Sequence, residues 1–467
     1  MKINVALGFT TLEEEIDNIA LPIQGNIPQW LTGTLIRNGA AKFEVEKDSY
    51  NHWFDGLAML HRFDFNQGKI LYTNKFLRGS TYKESMIKGT VVYPEFATLP
   101  KTSMPSRILR NATGHFTDNA SVNVAKIDNK YIALTETPPR VEFDPLSLRT
   151  LGRFSYGDKV KGHLTTVHPH YDYKNKQIFN YITKFSLISS YNIYSISEGS
   201  TKRKIISSVP VKHPSYMHSF GMTDNYIILT QFPLIVDHFR LLRTGSAVAD
   251  NLKWRPERGT HFLIIDKISG KVIGKFECEP FFGFHHINCF EIDGNVVVDI
   301  DAYSDSTIVR SLYLEDLRQG DFLLPTPQII RYHLQLGSNN VTTETIWEDF
   351  AEFPRLNYER CNGKAYNYVY GLNAKNSNGF PNRLVKFSTK NSYSNYWFME
   401  NNYPGEPIFI PSPENRVEDE GVVLSMILDT ELGKTYLLIL DVTSFTEIAR
   451  AYLPFPVPFG SHGQYFP

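Results

Sequence analysis

The stretch Phe281-Phe282-Gly283-Phe284-His285-His286-Ile287-Asn288-Cys289-Phe290-Glu291 places two imidazoles inside an apolar aromatic run. The run is typical of a buried strand, so at least one ring nitrogen must find a partner away from water. Successive side chains of a strand point to opposite faces, which separates His285 from His286. One imidazole can therefore point into an interior while its neighbour packs in the wall. With three similar rings nearby, the inward imidazole would form a metal site.

Short apolar or alternating runs recur along the chain, with turn residues between them. They cover residues 131–137, 177–184, 225–232, 260–265, 295–300, 328–336, 383–387, 406–410, 421–428 and 434–440. Helical patterns are scarce, and one short helix is predicted at residues 12–20. Many strands without alternating long helices indicate an all-β fold, and in a chain of 467 residues they favour a β-propeller. No flexible linker divides the sequence, so residues 1–467 are predicted to form one domain with long loops.

The composition excludes some classes of function. Lys and Arg number 48 against 49 Asp and Glu, and the net charge of -1 gives no reason to expect a nucleic-acid partner. The 32 Phe and 26 Tyr fit a core of many short strands, and also a long apolar cavity. Three scattered cysteines are too few for a disulfide framework or a thiolate metal site. They favour a reducing compartment.

Neither a signal peptide nor a membrane-spanning run is recognisable, which predicts a cytoplasmic protein. The segment 232–243 mixes large apolar residues with two arginines, as a segment lying in a lipid interface would. A buried loop or short helix that roofs the core explains the same pattern equally well. Both interpretations of this segment stay open, and the sequence carries no signal for the oligomeric state.

Four histidines lie in or directly after strand-like runs, each in a different part of the chain. Their wide and unequal separations match no local metal motif. They can meet only if the fold is closed and each comes from a different blade around one axis. The four are His168, His218, His285 and His462.

The chain resembles the carotenoid cleavage oxygenase family, most closely the branch that holds animal β-carotene oxygenases and the retinal pigment epithelium retinoid isomerase. The resemblance runs from about Ile27 to His462 and includes the four histidine contexts. It also rests on Trp53-Phe54-Asp55-Gly56-Leu57-Ala58-Met59-Leu60-His61, Ala133-Leu134-Thr135-Glu136-Thr137, Tyr403-Pro404-Gly405-Glu406-Pro407-Ile408-Phe409, Gly421-Val422-Val423-Leu424-Ser425 and Phe445-Thr446-Glu447-Ile448-Ala449-Arg450. It implies a seven-bladed propeller with a few short helices that roof the active site.

The resemblance further implies one Fe²⁺ on the propeller axis, with molecular oxygen as co-substrate. Its ligands would be the four histidines named above, and no catalytic residue is implied beyond this metal centre. Three carboxylates would accept the outer N–H of three rings, fixing their tautomers, while the fourth ring goes without one. These positions correspond to Glu136, Glu406 and Glu447. The family positions that line the substrate tunnel, or the open side of the metal, correspond to Phe54, Phe96, Val122 and Thr135.

The function implied is a dioxygenase that cleaves one double bond of a carotenoid or apocarotenoid into two aldehydes, at the central 15,15′ bond to give retinal. A polyene offers no acid, base or leaving group, which fits a site without a nucleophile–base pair. Three alternatives stay open: eccentric cleavage, non-oxidative retinoid isomerisation, and carriage of a carotenoid without chemistry. The isomerase branch carries a cysteine in the loop corresponding to residues 98–107, and its absence here favours cleavage.

Overall fold

The computed structural model describes residues 5–112, 116–320, 323–376, 379–414 and 416–467. Seven antiparallel sheets of four to six strands follow one another along the chain and form the blades of a β-propeller. The predicted all-β, seven-bladed fold is confirmed. Two short ribbons, Glu44–Val45 with Asp48–Ser49 and Leu234–Val236 with Leu252–Trp254, lie outside the blades.

The blades are numbered here in chain order. Blade 1 comprises Ile16–Ala20, Gly33–Lys42, Leu57–Asn66, Lys69–Phe76 and Gly463–Phe466; blade 2, Asn123–Ile127, Lys130–Leu134, Val141–Phe143 and Thr150–Arg153; blade 3, Leu164–Thr165, His170–Asp172, Gln177–Lys184, Ser189–Ser197 and Lys204–Val211; blade 4, Gly221–Met222, Tyr226–Gln231, Thr260–Asp266 and Val272–Cys278. Blade 5 comprises His286–Ile292, Asn295–Ala302, Gln328–Gln335 and Val341–Trp347; blade 6, Glu352–Arg355, Tyr368–Asn373, Arg383–Ser388 and Ser394–Phe398; blade 7, Ile23–Gly25, Asn402–Pro404, Ile408–Pro411, Gly421–Asp429, Lys434–Asp441 and Glu447–Tyr452.

Strands from both ends of the chain close the ring. Ile23–Gly25 adds to the outer edge of blade 7 by pairing with Glu447–Tyr452. Gly463–Phe466 adds to the inner edge of blade 1 by pairing with Gly33–Lys42. Blades 1 and 7 therefore both contain strands from each half of the sequence, and the backbone hydrogen bonds of these strands within each blade close the ring.

The helices are short and lie in the loops between strands. They are α1 (Ser80–Lys88), α2 (Met104–Ala112), α3 (His238–Thr244), α4 (Thr307–Ser311), α5 (Leu314–Gln319) and α6 (Tyr358–Cys361), with 3₁₀ turns at Val5–Phe9, Trp53–Asp55, Ala249–Asn251 and Pro256–Arg258. Asp237 caps the start of α3 by accepting from the backbone N–H of Arg240, and Gly245 ends the helix in the left-handed conformation. Within the described ranges, no helix is both long and apolar enough to cross a bilayer.

The helix predicted at residues 12–20 is wrong. Ile16–Ala20 is instead an edge strand that pairs with Lys69–Phe76. The backbone N–H of Ile16 donates to the side-chain oxygen of Asn74, and that of Asn18 donates to Thr73 Oγ1. Contacts with a distant strand outweigh the local acidic, helix-like pattern.

Candidate metal centre and tunnel

The four predicted histidines lie at the inner ends of four different blades. His168 stands between the first two short strands of blade 3. The other three come just before the innermost strands of blades 4, 5 and 1 and are His218, His285 and His462. Because all of these strands start near the axis, residues far apart in sequence meet at its centre.

The rings converge through their Nε2 atoms. Nε2 of His168 lies 3.0 Å from Nε2 of His218, and Nε2 of His285 lies 3.4 Å from that of His462. The four rings can offer nitrogens that all lie within 4.8 Å of one another. Imidazole nitrogens are common ligands of first-row transition metals, so this donor set fits a divalent cation such as Fe²⁺.

A carboxylate fixes the tautomer of three of these rings from outside. Nδ1 of His218 donates to Glu136 at 2.6 Å, and Nδ1 of His462 donates to Glu406 at 2.7 Å. Nδ1 of His285 donates to Glu352 at 2.8 Å. With the proton on Nδ1, the Nε2 lone pair of each ring faces the centre. Among the described residues, His168 has no carboxylate partner.

The structure does not place Glu447 beside a histidine of the centre, contrary to the sequence prediction. Both of its carboxylate oxygens accept from the Arg450 guanidinium at 2.6 Å, in a strand near the outer rim of blade 7. The prediction that Glu447 holds a ring is therefore wrong, because its strand is too far from the axis. Glu352 takes that position as the first residue of the innermost strand of blade 6, and its side chain is buried.

A local signal could have identified Glu352. It lies in the apolar run Phe350-Ala351-Glu352-Phe353-Pro354, where an acidic side chain without a polar partner would be costly to bury. Glu447, in contrast, has Arg450 three residues ahead. A carboxylate inside an aromatic run is a better candidate for a buried role than one with a basic neighbour.

Glu352 and His285 shift each other's ionisation in the metal-free centre. Burial alone would lower the pKa of His285, but Glu352 and Asp301 outweigh it and raise this pKa to about 10. Burial would raise the pKa of Glu352, but His285 outweighs it and lowers this pKa to about 2. Burial lowers the pKa of His462 to about 3, despite the attraction of Glu406. In the metal-free centre His285 therefore carries the positive charge opposite Glu352, and a bound cation would replace the proton on its Nε2.

Two arginines hold His462 and its carboxylate together. Arg37 forms an ion pair with Glu406 and also donates to the backbone oxygen of Ser461 at 3.0 Å. Arg355 donates to Glu406 at 2.9 Å and to the backbone oxygen of Gly463 at 3.0 Å. The two residues that flank His462 are thus bound to the same cations as Glu406, which restrains the ring on both sides.

His286 occupies the wall, as the alternation of strand side chains predicts. Its Nδ1 lies 2.8 Å from Ser219 Oγ, and its Nε2 lies 2.7 Å from Thr230 Oγ1. Both nitrogens have hydroxyl partners, so this imidazole is satisfied without a metal. It belongs to the packing between blades 4 and 5.

A cavity borders the histidine cluster and encloses about 1780 Å³, including the open solvent space that it meets. Its wall is mainly apolar and contains three of the rings, His218, His285 and His462. The four residues predicted from family positions all line it, namely Phe54, Phe96, Val122 and Thr135. Val122 lies beside the centre, since its backbone oxygen accepts from the backbone N–H of His462 at 2.9 Å.

The segment 232–243 contributes side chains both to the cavity wall and to the protein surface. Phe232 is buried, while Leu241 and Leu242 of α3 line the cavity. Phe239 points outward and is 54% exposed. Ile308 of α4 also lines the cavity, so short helices do roof it.

Comparisons with known proteins agree with this architecture. Residues 9–467 match the family described as retinal pigment epithelial membrane protein. The mitochondrial carotenoid-cleaving dioxygenase of Mustela putorius furo is 31% identical, with 98% of this chain and 95% of the relative covered. The β,β-carotene 15,15′-dioxygenase of Gallus gallus is 33% identical, with 97% of each covered. A solved Synechocystis apocarotenoid oxygenase mutant has a TM-score of 0.90 at 23% identity, over 100% of this chain and 99% of that one, which supports the fold.

Proposed function

The chain belongs to the retinal pigment epithelial membrane protein family of carotenoid cleavage oxygenases, and on that premise we propose that it is an iron-dependent dioxygenase. It cleaves a double bond of a carotenoid or apocarotenoid into two aldehydes, and the central 15,15′ bond is the expected position. The observation that carries this proposal is a four-histidine centre that borders a mainly apolar cavity.

The residues of this chain have three tasks in that reaction. His168, His218, His285 and His462 would hold Fe²⁺, whose chemistry is the activation of molecular oxygen. Glu136, Glu352 and Glu406 keep a proton on the outer nitrogen of three rings. Aromatic side chains of the cavity, including Phe54 and Phe96, hold the polyene and exclude water.

The product of the reaction tests the proposal. Protein loaded with iron under anaerobic conditions is mixed with β-carotene in detergent, the reaction is started with oxygen, and products are separated by chromatography and mass. Retinal is expected as the dominant product, and metal-free protein is expected to give none. Aldehydes of other lengths would place the cleaved bond elsewhere.

Two outcomes would contradict cleavage altogether. Anaerobic conversion of an all-trans retinyl ester to a cis alcohol, without loss of any polyene, would favour the isomerase. A protein that binds a carotenoid but neither takes up iron nor changes the polyene would favour a carrier.

We also propose peripheral membrane contact at the outer side of α3. Phe239 is exposed there, and Leu109 on the adjacent helix α2 is 65% exposed. Arg240 and Arg243 lie on the same helix and can meet phosphate headgroups. Because Leu241 and Leu242 of this helix line the cavity, an apolar substrate could pass from the bilayer to the centre without crossing water.

Phe239→Asp is expected to weaken binding to phosphatidylcholine vesicles about tenfold, because one large apolar side chain no longer enters the bilayer. Cosedimentation with vesicles measures the effect. Ile268→Asp is the matched control, since Ile268 is 94% exposed at a turn at the opposite end of blade 4. Equal losses for both variants would contradict contact through α3.

A further inference from the structure

The two sides of the cavity differ in polarity. On the side of blades 6 and 7, apart from Ser461 and the residues that hold the rings, the wall is apolar and includes Phe350, Leu372, Phe380 and Phe459. The opposite side is formed by the loops that lead into blades 2 and 3, together with the segment around α3. It contains Glu95, Thr117, Thr137, His163 and Ser246.

Most polar groups on that side already have partners within the protein. Thr137 Oγ1 donates to the backbone oxygen of Thr117 at 3.0 Å, and Ser246 Oγ accepts from Asn251 at 2.8 Å. Thr117 Oγ1 donates to Oε1 of Glu95 at 2.7 Å. Across the described parts of the chain, neither the second oxygen of Glu95 nor Nε2 of His163 has a hydrogen-bond partner.

Glu95 lines the cavity with a carboxyl group whose burial favours the neutral form. The residue is only 7% exposed, and burial together with Asp55 and Asp118 raises its pKa well above the usual range. Because Oε1 accepts from Thr117, the carboxyl proton is free to lie on Oε2. In its neutral form, the Glu95 side chain therefore has an O–H donor without a partner among the described residues.

His163 also lines the cavity and is a second neutral donor. Its Nδ1 accepts from the backbone N–H of Phe185 at 3.0 Å, which leaves the proton on Nε2. Burial, aided by Lys184, lowers the pKa of this ring, so it is uncharged at neutral pH. The ring stacks on Phe185, which in turn stacks on His238 at the start of α3.

We propose that Glu95 and His163 form a polar end-group site that donates hydrogen bonds to a neutral oxygen of the substrate. The site fits a carbonyl or hydroxyl at one end of the polyene, while the hydrocarbon end lies between the aromatic residues of blades 6 and 7. The preferred substrate is then an oxygenated carotenoid or apocarotenoid. This inference rests on the proposed function, because it assumes that a polyene occupies the cavity.

Selectivity arises because a hydrocarbon leaves both donors without a partner. A site built to hydrogen-bond a substrate oxygen disfavours an analogue that lacks it. A carboxylate end group is a weaker candidate than an aldehyde or alcohol, since neither donor is positively charged. The same contacts would determine the direction in which an asymmetric substrate lies in the cavity.

Ligand binding tests the site without relying on turnover. Tryptophan fluorescence is quenched by a bound polyene, and Trp53 lines the cavity. Iron-loaded protein is titrated in the absence of oxygen with a β-apocarotenal, which has one aldehyde end, and with β-carotene, which has no polar group. Glu95→Leu is expected to weaken apocarotenal binding about tenfold and to leave β-carotene binding unchanged or stronger, because the hydrocarbon no longer leaves this donor without a partner.

Two further variants make the test specific. Glu95→Gln keeps a neutral donor and is expected to retain most of the apocarotenal affinity. His163→Phe preserves the stack on Phe185, removes the second donor, and is expected to lower the same affinity. It also replaces Glu95→Leu if that variant does not fold.

The outcomes separate this inference from the proposed function. An unchanged ratio of the two affinities in both donor-removing variants would overturn the end-group site, even if the protein cleaves polyenes. A ratio that falls as expected would support the site, even if no polyene is cleaved and the proposed function fails.

Discussion

His285→Ala is expected to lose its iron and to lower the rate of polyene cleavage by more than about a hundredfold. Removal of a group that merely orients a metal ligand already costs about 10- to 100-fold, and this substitution removes the ligand itself. It also leaves Glu352 and Asp301 buried without the ring that they contact. Metal analysis of the purified variant and its rate under saturating oxygen give the two readouts.

The neighbouring residue supplies the matched control. His286→Ala removes two hydrogen bonds in the wall, to Ser219 and Thr230, and is expected to lower the free energy of unfolding by about 1–3 kcal/mol. Its iron content should stay near that of the unchanged protein. Iron retained by His285→Ala and lost by His286→Ala would reverse the assignment.

Glu352→Gln is expected to lower iron affinity by about 10- to 100-fold, because it removes the negative charge opposite His285 while nearly preserving the shape of the side chain. Competition with a chelator measures the change in affinity. Glu447→Gln is the control and should alter iron affinity by less than about threefold, since Glu447 contacts Arg450 at the rim of blade 7. Equal effects of the two substitutions would show that Glu352 does not support the metal.

The sequence predicts part of the strand pattern of this fold, because that pattern is local. Runs of apolar and β-branched residues between turns identify at least one strand in each of blades 2 to 7, and the two-residue period separates His285 from His286. The helix predicted at residues 12–20 is absent at Ile16–Ala20, because pairing with Lys69–Phe76 decides the conformation there. The strands that both ends of the chain add to blades 1 and 7 form only when the whole ring closes, so local sequence patterns do not predict them.

The sequence predicts the four histidines of the candidate centre through the family resemblance, but it does not predict all of the carboxylates around them. Spacing alone does not bring His168 together with His462, and it is the resemblance to a known family that selects the four rings. The resemblance placed one carboxylate at Glu447, because a motif does not reveal how far its strand lies from the axis. The ion pairs of Arg37 and Arg355 with Glu406 join residues from three distant segments, so only the folded structure reveals them.

Iron titration shows directly whether cleavage depends on a metal bound by the four histidines. Metal-free protein is titrated anaerobically with Fe²⁺, and each sample is assayed for bound iron and for cleavage of β-carotene after oxygen is added. Activity is expected to rise in proportion to bound iron and to reach its maximum at one iron per chain. Cleavage by metal-free protein, or activity that does not follow the iron bound by the four histidines, would contradict this dependence.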